Sequence, residues 1–150
     1  MKEIYYLDDF EVGQRFGSGS YLLNEEAIKR FAVEYDPQPF HLDDESAKET
    51  LFGGLAASGW HTAALTMRLL VESDFKPAGG VIGAGIEEFQ WPLPVRPGDE
   101  LSVEAEIVEV RPSKSRPDQG MVKVRTTTYN QRQEAVQVFV AKLIVKRYLP

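Results

Sequence analysis

The chain contains no cysteine, so neither a disulfide framework nor a thiolate metal site is open to it. That usage fits a reducing compartment. Histidine is almost as scarce. There are only two, His41 and His61, with no carboxylate cluster at ligand spacing, which leaves no zinc template and sets an expectation of no metal. Positive charge is short as well: 17 Lys and Arg against 23 Asp and Glu give a net charge of −6. Non-specific nucleic-acid binding relies on cations that neutralise phosphates, so no nucleic-acid partner is expected. A small anion held by a local basic patch remains open. No apolar run approaches the ~20 residues that span a bilayer. Met1 to Asp9 carries acids where a signal peptide needs an apolar stretch. The expectation is a cytoplasmic, soluble protein without a membrane partner. Internal repeats and low-complexity segments are also missing from the sequence.

What is present is ordinary globular material: 150 residues, 43% hydrophobic and 27% charged, enough for one domain over 1–150 with a sizeable core. Residues 14–23 read as a strand. Asn24 is a good N-cap, followed by Glu25 and Glu26 at the favourable end of the dipole. Ala27, Ile28, Phe31 and Ala32 then recur at helical spacing, which predicts an amphipathic helix over 25–35 that ends before Pro37. A short helix over 43–50 follows, capped by Asp43 or Asp44. After the small-residue run 53–59, the stretch from Trp60 to about Ser73 is apolar on nearly every side, the pattern of a buried helix. Segments 81–91, 100–111, 120–130 and 134–147 are rich in Val, Ile, Thr, Tyr and Phe, and several alternate apolar with polar. Three consecutive meander connections predict an antiparallel sheet. A buried helix followed by such a sheet gives an α+β layer fold in which the sheet wraps the helix.

Within this frame one segment carries chemistry. Asp36-Pro37-Gln38-Pro39-Phe40-His41 sets a carboxylate and an imidazole five residues apart. Its two prolines are expected to keep the segment out of regular helix. Brought together, the pair can hold one water and move protons near neutral pH. Asp, Pro and His are also ordinary solvated loop residues, and the spacing alone admits both readings.

The surrounding residues resemble the MaoC-like dehydratases, hot-dog-fold enzymes that include (R)-specific enoyl-CoA hydratases. The family motif is an aromatic, a spacer, Asp-x-Asn-Pro-aliphatic-His, then a small residue; here it reads Phe31, Asp36, Pro37, Gln38, Pro39, Phe40, His41 and Ala47. Gly59 stands where the family has a Gly that opens its central helix, and Pro94-Val95-Arg96-Pro97-Gly98-Asp99 looks like the family turn into a strand. The resemblance implies a hot-dog fold and a hydro-lyase acting on an enoyl or hydroxyacyl thioester, with acyl-CoA as partner and no cofactor. Asp36 and His41 would activate water and return a proton to the α-carbon. The Gly59 N–H would donate to the thioester oxygen. Gln38, Phe40, Ser58, Trp60 and Met67 would contact substrate. Several of these depart from the motif: Gln38 replaces Asn, Phe40 an aliphatic residue, Ser58 a frequent His, and Met67 a Ser found in some hydratases. The family pairs two sheets edge to edge, so a homodimer or larger homo-oligomer is expected, with Val136, Val138, Val140, Leu143 and Val145 as apolar strand residues in need of cover.

The rest is weaker. His61 reads as a helix-end residue bonded to backbone or water. Arg111 to Pro117 concentrates three cations that fit either phosphates of coenzyme A or a solvated hairpin. Gly79 to Gly85 leads from a loop into a strand, the wrong context for a phosphate loop. Trp60, Met67, Leu70, Phe89 and Trp91 are core or tunnel residues. Two rivals stay open: an acyl-CoA thioesterase on the same fold, and a non-catalytic acyl-binding protein.

Overall fold

The computed structural model describes residues 3–149. A single 3-10 turn, Leu7–Asp9, leads to strand β1 (Arg15–Leu22), helix α1 (Glu25–Tyr35), two one-turn helices α2 (Pro39–Leu42) and α3 (Asp44–Ala47), and the longest helix, α4 (Gly59–Val71). Strands β2 (Gly83–Gln90), β3 (Glu100–Pro112), β4 (Gln119–Tyr129) and β5 (Ala135–Lys146) complete the chain. Asn24 caps α1 by accepting from the Ala27 N–H, and Ser58 caps α4 by accepting from the Trp60 N–H. The strands form one five-stranded antiparallel sheet in the order β1-β3-β4-β5-β2. Alternation fixes its inner face. Val103, Ala105 and Ile107 of β3, Val122 and Val124 of β4, and Phe139, Ala141 and Leu143 of β5 join Leu65, Leu69 and Leu70 of α4 in the buried cluster. The sheet around α4 is the hot-dog arrangement.

Three details correct the sequence reading. First, Pro39 to Leu42 is helical after all. Pro39 occupies the first helical position, where its missing N–H is no loss and its fixed φ suits the helix. Second, only β3–β4 and β4–β5 are meander connections; β2 lies across the sheet against β5. The linker from β2 to β3 holds Pro92, Pro94 and Pro97, and three residues without an N–H do not make a tight hairpin. They carry the chain past the start of α4 instead. As a result Val136, Val138, Val140, Leu143 and Val145 lie on an interior strand, and the edges are β1 and β2. Third, α4 is not buried all round: Trp60, Met67 and Val71 are exposed along one stripe.

Candidate active site

The prolines of the motif play opposite parts. Pro37 forces Asp36 out of helical geometry (ψ 66°), so α1 ends with Asp36 as its C-cap, and Pro39 starts α2. His41 falls on α2 with its side chain buried. The two groups meet: Asp36 Oδ2 and His41 Nε2 are 3.3 Å apart. The other imidazole nitrogen, Nδ1, lies 2.6 Å from the Ala56 carbonyl oxygen. A carbonyl can only accept, so Nδ1 carries hydrogen, and in the neutral form of the ring Nε2 presents a lone pair beside the carboxylate. Two acceptors facing each other call for a donor between or beside them, the arrangement that holds and polarises a water.

Both Asp36 oxygens are engaged. The Ser58 hydroxyl donates to Oδ2 at 2.7 Å and the Gln38 side-chain amide to Oδ1 at 2.5 Å. Burial pushes the Asp36 carboxyl up, but the donors Gln38 and Ser58, together with the His41 charge, outweigh it and hold the group below its usual range. Asp36 is therefore an anion at neutral pH.

The pair opens into a cavity of about 320 Å³ lined by Phe52, Ala57, Gly59, Trp60, Thr62, Trp91 and the Leu93–Val95 segment as well as Asp36 and His41. Gly59 is the first residue of α4, and its N–H has no hydrogen-bond partner among the described residues. Such an orphan donor at a positive helix end suits developing oxyanion charge. The structure also supplies a second reason for glycine here: a Cβ on Gly59 would lie 2.6 Å from Trp91 Cε2. The indole packs directly on the Gly59 α-carbon.

Of the expected substrate contacts, Trp60 lines this cavity. Gln38 and Ser58 instead hold the Asp36 carboxylate. Phe40 stands edge-on to the His41 ring, with centroids 4.6 Å apart, and against Phe52. Met67 lies two turns along α4, outside the cavity lining. His61 is stacked on Phe31 with ring centroids 4.5 Å apart, and its Nδ1 has no partner among the described residues. Burial first, and then the Arg30 charge, keep the His61 pKa low. The Arg111–Pro117 turn follows the end of β3 and contributes no residue to the cavity lining, with Arg111 paired to Glu109 and Arg116 to Asp118.

Two supporting groups were not singled out in the sequence. Arg96 donates to the carbonyls of Phe52, Gly54 and Leu55, the loop that presents the Ala56 carbonyl to His41. Gln137, fully buried, accepts from the Trp91 indole N–H at 2.9 Å and donates to Thr66 Oγ1. Arg96 lies within the Pro94–Asp99 turn already noted. Gln137 left its own signal: a polar amide in an apolar strand.

A sheet wrapped on one helix, with an acid–base pair beside the helix start, defines a hot-dog protein of the dehydratase kind. The sequence profile of the MaoC like domain matches residues 9–130, and the chain belongs to that family. It is similar to the crystal structure of the MaoC-like dehydratase from Rhodospirillum rubrum, at 55% identity over 97% of this chain and 99% of that one, with a TM-score of 0.94. Among curated proteins it is 35% identical to the uncharacterized protein YdeM of Bacillus subtilis, covering 93% of this chain and 96% of YdeM. It is also 27% identical to the 3-hydroxybutyryl-CoA dehydratase of Methylorubrum extorquens over 75% of this chain and 70% of that enzyme.

Proposed function

We propose that the protein is a hydro-lyase that adds water to an enoyl thioester, or removes it from the 3-hydroxyacyl thioester, with coenzyme A as the carrier and no cofactor. The observation that carries this reading is the 3.3 Å approach of Asp36 Oδ2 to His41 Nε2 at the wall of a cavity that also contains the free N–H of Gly59. The similarity to a 3-hydroxybutyryl-CoA dehydratase supports it.

In the hydration direction a water donates to both Nε2 and Oδ2. One of its O–H bonds breaks towards Nε2, the new O–C bond forms at the β-carbon, and the double-bond electrons move to the thioester oxygen. The Gly59 N–H stabilises that enolate charge; a donor of this kind is typically worth about 3 kcal/mol. Asp36, held ionised, stabilises the imidazolium. The proton then passes to the α-carbon as the enolate collapses, which restores the pair. Dehydration is the reverse.

The test is a panel of enoyl-CoAs, following loss of the conjugated-thioester absorbance alongside release of free thiol. Hydration predicts absorbance loss without thiol. Asp36→Asn and His41→Ala should each lower the rate by about 10²–10⁴-fold while the variants still melt cooperatively. Thiol release at the same rate would favour the thioesterase, and binding without either signal the acyl-binding protein. Near wild-type hydration in both variants would refute the mechanism.

A further inference from the structure

Beyond the catalytic cavity lies a second, smaller pocket of about 70 Å³ between α4 and the sheet, lined by Met67, Leu70, Ile86, Thr126, Phe139 and Leu143 among others, with Met67 and Ile86 at its exposed rim. The two share no lining residue. An aromatic partition separates them. Trp60 and Trp91 wall the catalytic cavity, Phe139 walls the inner pocket, and Phe89 touches both sides: its ring centroid is 4.8 Å from Trp91, 6.2 Å from Trp60 and 5.3 Å from Phe139.

Phe89 reaches this position through a backbone irregularity. Ile86 faces the inner pocket, so strict alternation would turn Glu88 inward and Phe89 outward. The pairing with β5 instead runs from Glu87↔Val140 to Gln90↔Val138, which places one extra residue on β2. Glu88 absorbs it at φ 56°, left-handed geometry unusual for a non-glycine residue. The bulge delivers Phe89 to the inner face. The inner pocket, for its part, is not built for water. Its Thr126 hydroxyl is buried and has no partner among the described residues, and one polar atom in an apolar lining falls short of the two to four partners a buried water typically needs. It suits an apolar chain.

We propose that Phe89 is the residue that limits acyl-chain length, closing the catalytic cavity against the inner pocket so that the protein acts on short acyl groups. The proposal rests on the hydro-lyase reading. From Gly59 to Met67 the helix rises about 12 Å, so a crotonyl group held at Gly59 stops well short of the inner pocket, and the tail of an octenoyl group running along α4 comes to its edge.

The experiment compares hydration of crotonyl-CoA and oct-2-enoyl-CoA by the wild type, Phe89→Leu and Phe89→Ala, with thermal melts of each. The wild type should favour crotonyl-CoA in kcat/KM, and Phe89→Ala should move the octenoyl-to-crotonyl ratio upward by about tenfold or more, with Phe89→Leu between them. If Phe89→Ala does not melt cooperatively, Phe89→Leu carries the comparison. A wild type that already accepts both chains equally, or a ratio unmoved in a folded variant, overturns the gate. If no form hydrates either thioester, the hydro-lyase reading fails, and calorimetric binding of butyryl-CoA and octanoyl-CoA then tests the gate separately: the same shift in ratio supports it, and an unchanged ratio or no binding overturns it.

Discussion

Asp36 occupies a place that helix electrostatics alone would not select. It terminates α1, where the dipole presents negative charge, and α1 has no basic residue in its last turn. The carboxylate is held by Ser58, the N-cap of α4, and so draws on the positive end of the neighbouring helix. Ser58→Ala should therefore do two things. Loss of the cap should cost about 1 kcal/mol of stability. Loss of one donor leaves burial less opposed, so the Asp36 pKa rises and the acid limb of the kcat/KM profile moves to higher pH. The sign for stability follows from the same shift. With its folded pKa below the unfolded value, Asp36 contributes stability that is present above the unfolded pKa and lost as pH falls through the folded one. In Ser58→Ala that contribution shrinks. An acid limb that does not move, measured beside a lowered melting temperature, would reduce Ser58 to a cap. At this scale the sequence pointed to Asp36 and His41 through the motif around them, and the fold brings the two side chains within 3.3 Å. It could not disclose that Gln38 and Ser58 both donate to that carboxylate, because the Ser58 bond depends on where the start of α4 lies relative to the end of α1.

At the scale of elements, the candidate site is held by a loop with little regular structure of its own. Residues 52–57 are fixed by long-range bonds: Arg96 to three carbonyls, the Leu55 N–H to Asp44 Oδ1, the Ala56 N–H to the Phe40 carbonyl and the Ala57 N–H to the Val95 carbonyl. The product of this scaffold is the Ala56 carbonyl at His41 Nδ1. Arg96 is thus a positioning residue. Arg96→Ala should destabilise the protein by about 2 kcal/mol through stranded carbonyls. It should also lower kcat by about 10²-fold through a misplaced imidazole, with KM little changed. Arg96→Lys should recover part of the stability and little of kcat, since a single ammonium does not span the carbonyls that the guanidinium fork reaches. Equal recovery of both in the lysine variant would mean that charge alone matters. The helices and strands themselves were legible from caps and periodicity. Pro39 misled because proline excludes helix interiors but favours helix starts. The position of β2 was hidden because alternation marks a strand without naming its neighbour.

For the whole molecule, the sheet order decides where a second copy can attach. Its edges are β1 and β2, and they differ in kind. β1 carries Gly17, Ser18, Gly19 and Ser20 and a register shift between Gly17 and Ser20, features that blunt an edge. β2 carries Ile86 and is flanked by Ile82 and Trp91, all exposed, and the stripe of Trp60, Met67 and Val71 on α4 is also uncovered, with Ile86 at 58% exposure. An apolar set at an open strand edge calls for cover. A two-fold axis is the commonest way for identical chains to supply it, and pairing β2 with a second β2 would cover both copies at once. We therefore expect a homodimer of twice 16.9 kDa, or 33.8 kDa, by light scattering at micromolar concentration. Ile86→Lys places a strongly hydrated charge on that edge and should shift the mass towards one chain while the melt remains cooperative. A wild-type mass near 16.9 kDa with hydratase activity retained would sink the dimer, and a dimer unaffected by Ile86→Lys would move the interface away from β2.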